Sequence, residues 1–241
     1  MLNINTIVYK LPIEVNSTKL LNELDNLVLP YYEKDVRNNL KNIGAANIAI
    51  TGLENTPHDM WYSNQYCRAM TKMTDLATGE MLSKHYSKFT LGFPGAWRNN
   101  LEAQYDNGTG DRSFVHWHPG LIDSEMYNLK NRIADHLQID RQLRCRTSFI
   151  QGPNKINFHA DPHTPWRVHV NLKSAAGGTR WFFRTLDPVE IIEWVQPPDS
   201  VWLVRTGDVQ HSVEVQENET RWQLFYHIWQ SNLGSNYHQI A

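Results

Sequence analysis

Between Ile156 and Leu172 the sequence INFHADPHTPWRVHVNL sets His159, Asp161, His163, Arg167 and His169 among apolar residues in strand rhythm. A strand that only builds a core does not need so many ionisable groups. Side chains alternate faces along a strand. Asn157, His159 and Asp161 are therefore expected on one face, with Ile156, Phe158 and Ala160 on the other. An imidazole and a carboxylate then aim at one point, which is half of a triad of two histidines and one carboxylate. Such a triad holds Fe(II) on one face and leaves the remaining positions open. The distant histidine is expected from TGDVQHSVEV, where His211 follows the Gly207-Asp208 turn at the start of a strand. Ten residues later RWQLFYHIW begins, and Arg221, Gln223, Phe225 and His227 share a face. A guanidinium there can hold a carboxylate through two parallel hydrogen bonds. On the strand between these segments, Arg167, His169 and Asn171 form a polar face backed by Trp166, Val168, Val170 and Leu172. That pattern suits the lining of a polar pocket inside a barrel.

The elements that must position these groups are short strands. From residue 143 onward the pattern predicts strands over 143–150, 155–160, 167–173, 179–184, 190–195, 201–204, 211–216 and 221–229. The turn signals GPN, SAAGG, QPPDS, RTGD and QENE separate them. Short, evenly spaced strands of this kind predict a sandwich or barrel, jelly rolls included. Ahead of them, Ser124 is placed to cap a helix running to Leu137, with Met126, Leu129, Ile133 and Leu137 as its apolar stripe. An earlier helix is expected from Ser17–Thr18, with Leu20, Leu21, Leu24 and Leu27 on one face. Strands are expected over 6–9 and 47–52. Residues 93–120 are rich in Gly, Asn and Pro and read as loop; residues 65–88 are mixed. The expected class is mostly β with N-terminal helices. One domain spans 1–241, in which a helical and loop-rich part (1–140) flanks a β core (141–230) carrying the histidines.

A chain of 241 residues with 41% hydrophobic content can bury one sizeable core. Its 23 basic and 25 acidic residues leave a net charge of -2, which gives no reason to expect a nucleic-acid or membrane surface. The two cysteines, Cys67 and Cys145, are too few for a disulfide framework and fit a reducing compartment. The first residues show no basic start followed by an apolar core, and no apolar run has the length of a membrane span. A cytoplasmic location is expected.

Taken together, HADPHTPWRVHVNL and VWLVRTGDVQHSVEVQENETRWQLFYHIW resemble the Fe(II)/2-oxoglutarate-dependent dioxygenases, and more narrowly the aspartyl/asparaginyl β-hydroxylase-like family. That family includes relatives acting on free amino acids such as proline. The resemblance extends from about Arg144 to Trp229. It implies a double-stranded β-helix, a cupin-like jelly roll. It implies Fe(II) held by His159, Asp161 and His211, and Arg221 binding the distal carboxylate of the cosubstrate 2-oxoglutarate. Arg167 and His169 match positions near the cosubstrate and substrate, and Ser148 falls where a hydroxyl helps hold the cosubstrate. The implied reaction consumes molecular oxygen, releases succinate and carbon dioxide, and hydroxylates an unactivated C–H bond. The animal aspartyl/asparaginyl hydroxylases lack the carboxylate of the His-x-Asp pair. This chain keeps Asp161 and so is more similar to the bacterial small-molecule branch, with an amino acid or small amino-acid-like molecule as the expected substrate. Two alternatives stay open: a peptidyl hydroxylase using the same residues, and a non-catalytic jelly-roll sensor of metal or a small acid.

The remaining candidates have plainer readings. His163, beside Pro162, reads as a loop residue. His227 either lines the pocket or is a hydrogen-bonded core histidine. His116 and His118 lack a third ligand at usual spacing and read as a loop over the mouth of the site. Arg144 and Arg146 either meet a substrate carboxylate or lie on a solvated face. Trp181, Trp194, Trp202 and Trp222 read as core or barrel wall, whereas Trp97 and Trp117 are candidates for a lid.

Overall fold

Two antiparallel sheets face one another and carry the chemistry between them. The computed structural model describes residues 3–29, 44–52, 73–75, 115–161, 164–185 and 189–228. Its strands are β1 (Val8–Lys10), β2 (Ala45–Ala49), β3 (Thr51–Gly52), β4 (Met73–Asp75), β5 (His116–Trp117), β6 (Arg144–Gln151), β7 (Asn154–His159), β8 (Trp166–Lys173), β9 (Thr179–Arg184), β10 (Ile191–Gln196), β11 (Ser200–Arg205), β12 (Gln210–Val215) and β13 (Thr220–Ile228). The larger sheet has the order β1-β11-β8-β13-β6-β2, the smaller β10-β9-β12-β7-β4, and β3 pairs with β5 alone. Of the eight strands from β6 to β13, β6, β8, β11 and β13 belong to the larger sheet and β7, β9, β10 and β12 to the smaller. This interleaving is the double-stranded β-helix, a jelly roll. The eight strands expected from the sequence correspond to these eight.

The helices cover the outer face of the larger sheet. The helix α1 (Ser17–Glu23) is capped by Asn16, whose side chain accepts from the Lys19 amide. It passes into a π-helical turn over Leu24–Val28. That wider turn changes which residues face inward: Leu20, Leu24 and Val28 are buried, while Leu27 is exposed. The expected stripe through Leu27 is corrected accordingly. The helix α2 (Glu125–Leu137) starts at Ser124, whose hydroxyl accepts from the Tyr127 amide at 3.1 Å. Its apolar stripe of Met126, Leu129, Ile133 and Leu137 is fully buried. It packs with Leu20, Leu24, Val168, Val170, Leu203 and Leu224 in one cluster. Each such leucine contributes roughly 1.5–3 kcal/mol by leaving water. Polar ties fix the layer. The Glu23 carboxylate accepts from the amides of Glu125 and Met126 at the start of α2, and the Tyr226 hydroxyl donates to the Met126 carbonyl at 2.8 Å.

Between the sheets lies a second cluster, with Ile150, Ile156, Trp181, Phe183, Val204, Val213 and Val215 among its members. One part of the interior is thus a dry core. The rest carries charged and polar side chains. Among the described residues no helix is long and apolar enough to cross a membrane.

Candidate metal centre

At the end of β7, His159 lies directly opposite His211 of β12, and their ring centroids are 4.3 Å apart. Asp161 follows two residues beyond His159. Its Oδ2 is 3.3 Å from His211 Nε2 and 3.8 Å from His159 Nε2. Among the described residues these are the only three His, Cys, Asp or Glu side chains grouped as a metal would need, with ligand atoms all within 4.8 Å of one another. The histidines present the right nitrogen. His159 Nδ1 donates to the Asn157 carbonyl at 2.8 Å, and His211 Nδ1 lies 3.3 Å from the Val209 carbonyl. A ring tied through Nδ1–H leaves the Nε2 lone pair for a metal.

Charge follows the same logic. Burial, then the neighbouring His211, lowers the His159 pKa to about 4, so its ring is neutral at pH 7. Burial alone would raise Asp161, but Arg167, His211 and His159 together hold its carboxyl well below the usual range. Arg167 Nη1 sits 2.7 Å from Asp161 Oδ2, as a charge contact rather than an aligned hydrogen bond.

Simple alternation does not explain how His159 faces inward. Ile156 pairs with Val213 and His159 with His211, so β7 carries one extra residue between these pairs. The bulge puts Ile156 on the inner side along with His159. This corrects the expectation that Ile156 faces away from it. Bulges re-aim side chains in this manner. Asp161 is fixed by its backbone. Its amide donates to the Thr206 carbonyl at 2.7 Å, the Thr206 hydroxyl donates to the Thr164 carbonyl, and the Thr206 and Gly207 amides donate to the Pro165 carbonyl. Gly207 permits this approach: a Cβ there would lie 2.6 Å from Pro165 Cα. The TGD turn before His211 therefore sets the distance between the two halves of the triad.

Beside the triad, β13 brings Arg221 inward at 2% exposure. Its Nη2 donates to Gln223 Oε1, while Nε and Nη1 are buried with no hydrogen-bond partner among the described residues. The Trp181 ring lies 5.3 Å from the guanidinium carbon. Burial pulls the Arg221 pKa down to about 9. Gln223 Oε1 also lies 3.0 Å from His169 Nδ1, Gln223 Nε2 donates to Gln196 Oε1, and Gln196 Nε2 donates to the His169 carbonyl. Ser148 faces Gln223 across β6 and β13, and its buried hydroxyl likewise has no partner among the described residues. The structure thus gathers His159, Asp161, His211, Arg167, His169, Arg221 and Ser148 into one interior. A guanidinium with two unanswered donors, deep in the fold, is a seat for an anion.

Other expectations are revised. Arg144 is 1% exposed, which removes the solvated-face reading. Arg144, His227 and Arg167 lie in one row across β6, β13 and β8. His227 is buried there; burial, then Arg167, Arg144 and Arg146, holds its pKa well below the usual value. His118 is buried, and its Nδ1 accepts from the Gly120 amide at 3.0 Å, which fixes a local turn. Trp117 is 9% exposed, edge-on to Tyr127 at 5.3 Å, and belongs to the core rather than to a lid. His163 and Trp97 lie outside the described residues. Gln196 was not legible, because it sits at the QPPDS turn, where nothing local marks a buried amide. Trp181, expected as barrel wall, is also the surface on which Arg221 and His169 rest.

No protein-family model matches the chain, and none of the curated proteins does. Among solved structures it is similar to an oxidoreductase of the 2OG-Fe(II) oxygenase family from Burkholderia pseudomallei, at 16% identity and a TM-score of 0.34 over 44% of this chain and 53% of that one. The chain therefore spans about half the length of that neighbour. It is also similar to a Pseudomonas putida prolyl-4-hydroxylase, at 13% identity and a TM-score of 0.34, over 82% of this chain and 98% of that one. A third is a cupin-like protein from Thermotoga maritima, at 10% identity and a TM-score of 0.24, over 35% and 56%.

Proposed function

We propose that this protein is an Fe(II)- and 2-oxoglutarate-dependent dioxygenase of the aspartyl/asparaginyl β-hydroxylase-like family that hydroxylates a free amino acid or a similar small substrate. One observation carries the reading. A His-Asp-His donor set and a buried guanidinium with unpartnered Nε and Nη1 share one barrel interior. Two imidazoles and a carboxylate on one face fit Fe(II) with open positions. A structural cluster has no use for a buried, unanswered cation, whereas a dicarboxylate cosubstrate does.

In this reading His159, Asp161 and His211 hold the iron, which when bound supplies the oxidative chemistry of C–H hydroxylation. Arg221 binds the distal carboxylate of 2-oxoglutarate, assisted by Ser148 and His169. Trp181 and Phe225 flank the guanidinium and exclude water, which strengthens that charge pair. Arg167 balances the Asp161 charge. Arg144 and Arg146 share the inner face of β6 with Ser148 and are placed to meet the carboxylate of the amino-acid substrate.

The test is succinate formation from 2-oxoglutarate by the purified protein with Fe(II) and oxygen, across free amino acids and short Asp, Asn and Pro peptides. Stimulation by a free amino acid, absent in His211→Ala, is the expected result. Stimulation by peptides alone would move the substrate to a protein side chain. Metal binding with no turnover and no 2-oxoglutarate binding would favour a sensor.

A further inference from the structure

The polar network beside Arg221 is pinned at both ends by groups with a single role. Arg221 can only donate, so the Gln223 atom it meets is the oxygen. The Gln223 amide nitrogen then faces the oxygen of Gln196 at 2.6 Å. The Gln196 nitrogen faces the His169 carbonyl at 3.2 Å, and a carbonyl can only accept. Neither amide can be turned over without breaking this chain. His169 Nδ1, 3.0 Å from the same Gln223 oxygen, must therefore carry a proton. In a neutral ring Nε2 is then bare, and it is buried with no partner among the described residues.

Arg221 and His169 are neighbours. They share the Gln223 oxygen, and both rest on Trp181 and Phe225. A carboxylate arriving there finds donors on Arg221 but, on His169, a lone pair. Two acceptors cannot hydrogen-bond without a proton between them. We infer that Gln223 holds His169 as the neutral Nδ1–H tautomer in the free protein, and that the carboxylate bound at Arg221 is taken up together with one proton, which passes from solvent to His169 Nε2. This rests on the proposed function, since 2-oxoglutarate supplies the carboxylate.

The surroundings agree. Arg221 faces His169 from β13, Arg167 from its own strand and His211 from β12; Trp181, Trp202 and Gln196, from β9, β11 and β10, carry no charge. No anion among these neighbours favours the imidazolium before the ligand arrives. Burial, above all, holds the His169 pKa well below its ordinary value despite the Gln223 hydrogen bond. The bound carboxylate reverses that balance. Between the pKa of the free and the liganded ring, affinity for 2-oxoglutarate falls about tenfold per pH unit.

The experiment uses the full chain loaded with Zn(II), which is redox-inert and diamagnetic. Calorimetric titration with 2-oxoglutarate at one pH, in buffers of different ionisation enthalpy, is expected to show uptake of close to one proton. In ¹⁵N-histidine NMR, the resonances lost in His169→Gln identify the ring. They are expected to report Nδ1–H with bare Nε2 in the free protein, and two protonated nitrogens after saturation. Gln223→Leu is expected to release the tautomer preference. An Nε2–H ring in the free protein, or a ring still neutral with 2-oxoglutarate bound, overturns the inference and leaves the proposed function standing. No 2-oxoglutarate binding at any pH overturns both.

Discussion

Replacing Arg221 by Met removes a fully buried charge from the interior. The guanidinium is fully buried, and burial pulls its pKa from the ordinary arginine value down to about 9. A drop of that size corresponds to about 5 kcal/mol of lost preference for the charged form, as an upper bound. The folded pKa lies below the unfolded one, so the unfolded chain binds more protons. The penalty is therefore present in full below pH 9 and is relieved only as pH rises from there towards the ordinary arginine pKa. At pH 7 the wild type carries all of it. Met fills similar space without charge, and Gln223 Oε1 keeps its bond to His169. Replacing buried charge with apolar volume typically gains about 1–4 kcal/mol. A gain of about 2 kcal/mol raises Tm by roughly 4–8 °C in a chain of this size. Under the proposed function, the same substitution leaves the distal carboxylate of 2-oxoglutarate without its cation. That loss costs about 3 kcal/mol, or roughly a hundredfold in Kd. Thermal unfolding of the Zn(II)-loaded protein, with and without 2-oxoglutarate, reads both effects. The expected result is a more stable free protein that 2-oxoglutarate no longer stabilises. A lower Tm together with an intact 2-oxoglutarate shift would refute the reasoning.

Other perturbations separate the site from its scaffold. Gly207→Ala pushes a Cβ to 2.6 Å from Pro165 Cα and shifts the turn that sets His211 against Asp161; Co(II) titration should show affinity down about tenfold or more, and unchanged affinity would remove this turn from the account. Asp161→Asn takes a ligand from the triad and leaves Arg167 facing no carboxylate, so metal affinity should fall about a hundredfold in the same titration. Ile133→Ala, far from the triad on α2, should cost about 2–5 kcal/mol in urea unfolding while metal stoichiometry stays at one. Because the Arg221 pKa is about 9, 2-oxoglutarate affinity should decline further above pH 9 as the guanidinium loses its proton; a Kd constant up to pH 11 would contradict that burial.

The grouping of His159, Asp161 and His211 was legible in residue type and spacing. His159, Asp161, His211 and Arg221 each sit where strand rhythm meets a turn signal, and the eight core strands follow from the same rhythm. Features set by neighbours distant in sequence were hidden. The extra residue in β7 exists only relative to the register of β12. The π-helical turn that exposes Leu27 leaves no mark in a leucine pattern. Gln196 looks like part of a turn and becomes an anchor only when β10 is laid against β8 and β13. Trp117 lies in a loop-like composition, yet its side chain finds Tyr127 and the buried Lys130 of α2. Arg144 and Arg146 alternate with Cys145 and Thr147; alternation gives two faces but not which one closes onto the other sheet.

The most direct test of the central claim is an anaerobic titration of the wild-type chain with Fe(II) and 2-oxoglutarate, followed in the visible. The absorption band of an Fe(II)–2-oxo acid chelate reports 2-oxoglutarate bound to iron at the triad. The expected result is a band that saturates at one Fe(II) and one 2-oxoglutarate per chain and is lost in His211→Ala. Fe(II) bound by the wild type with no such band, or a band undiminished in His211→Ala, would contradict it.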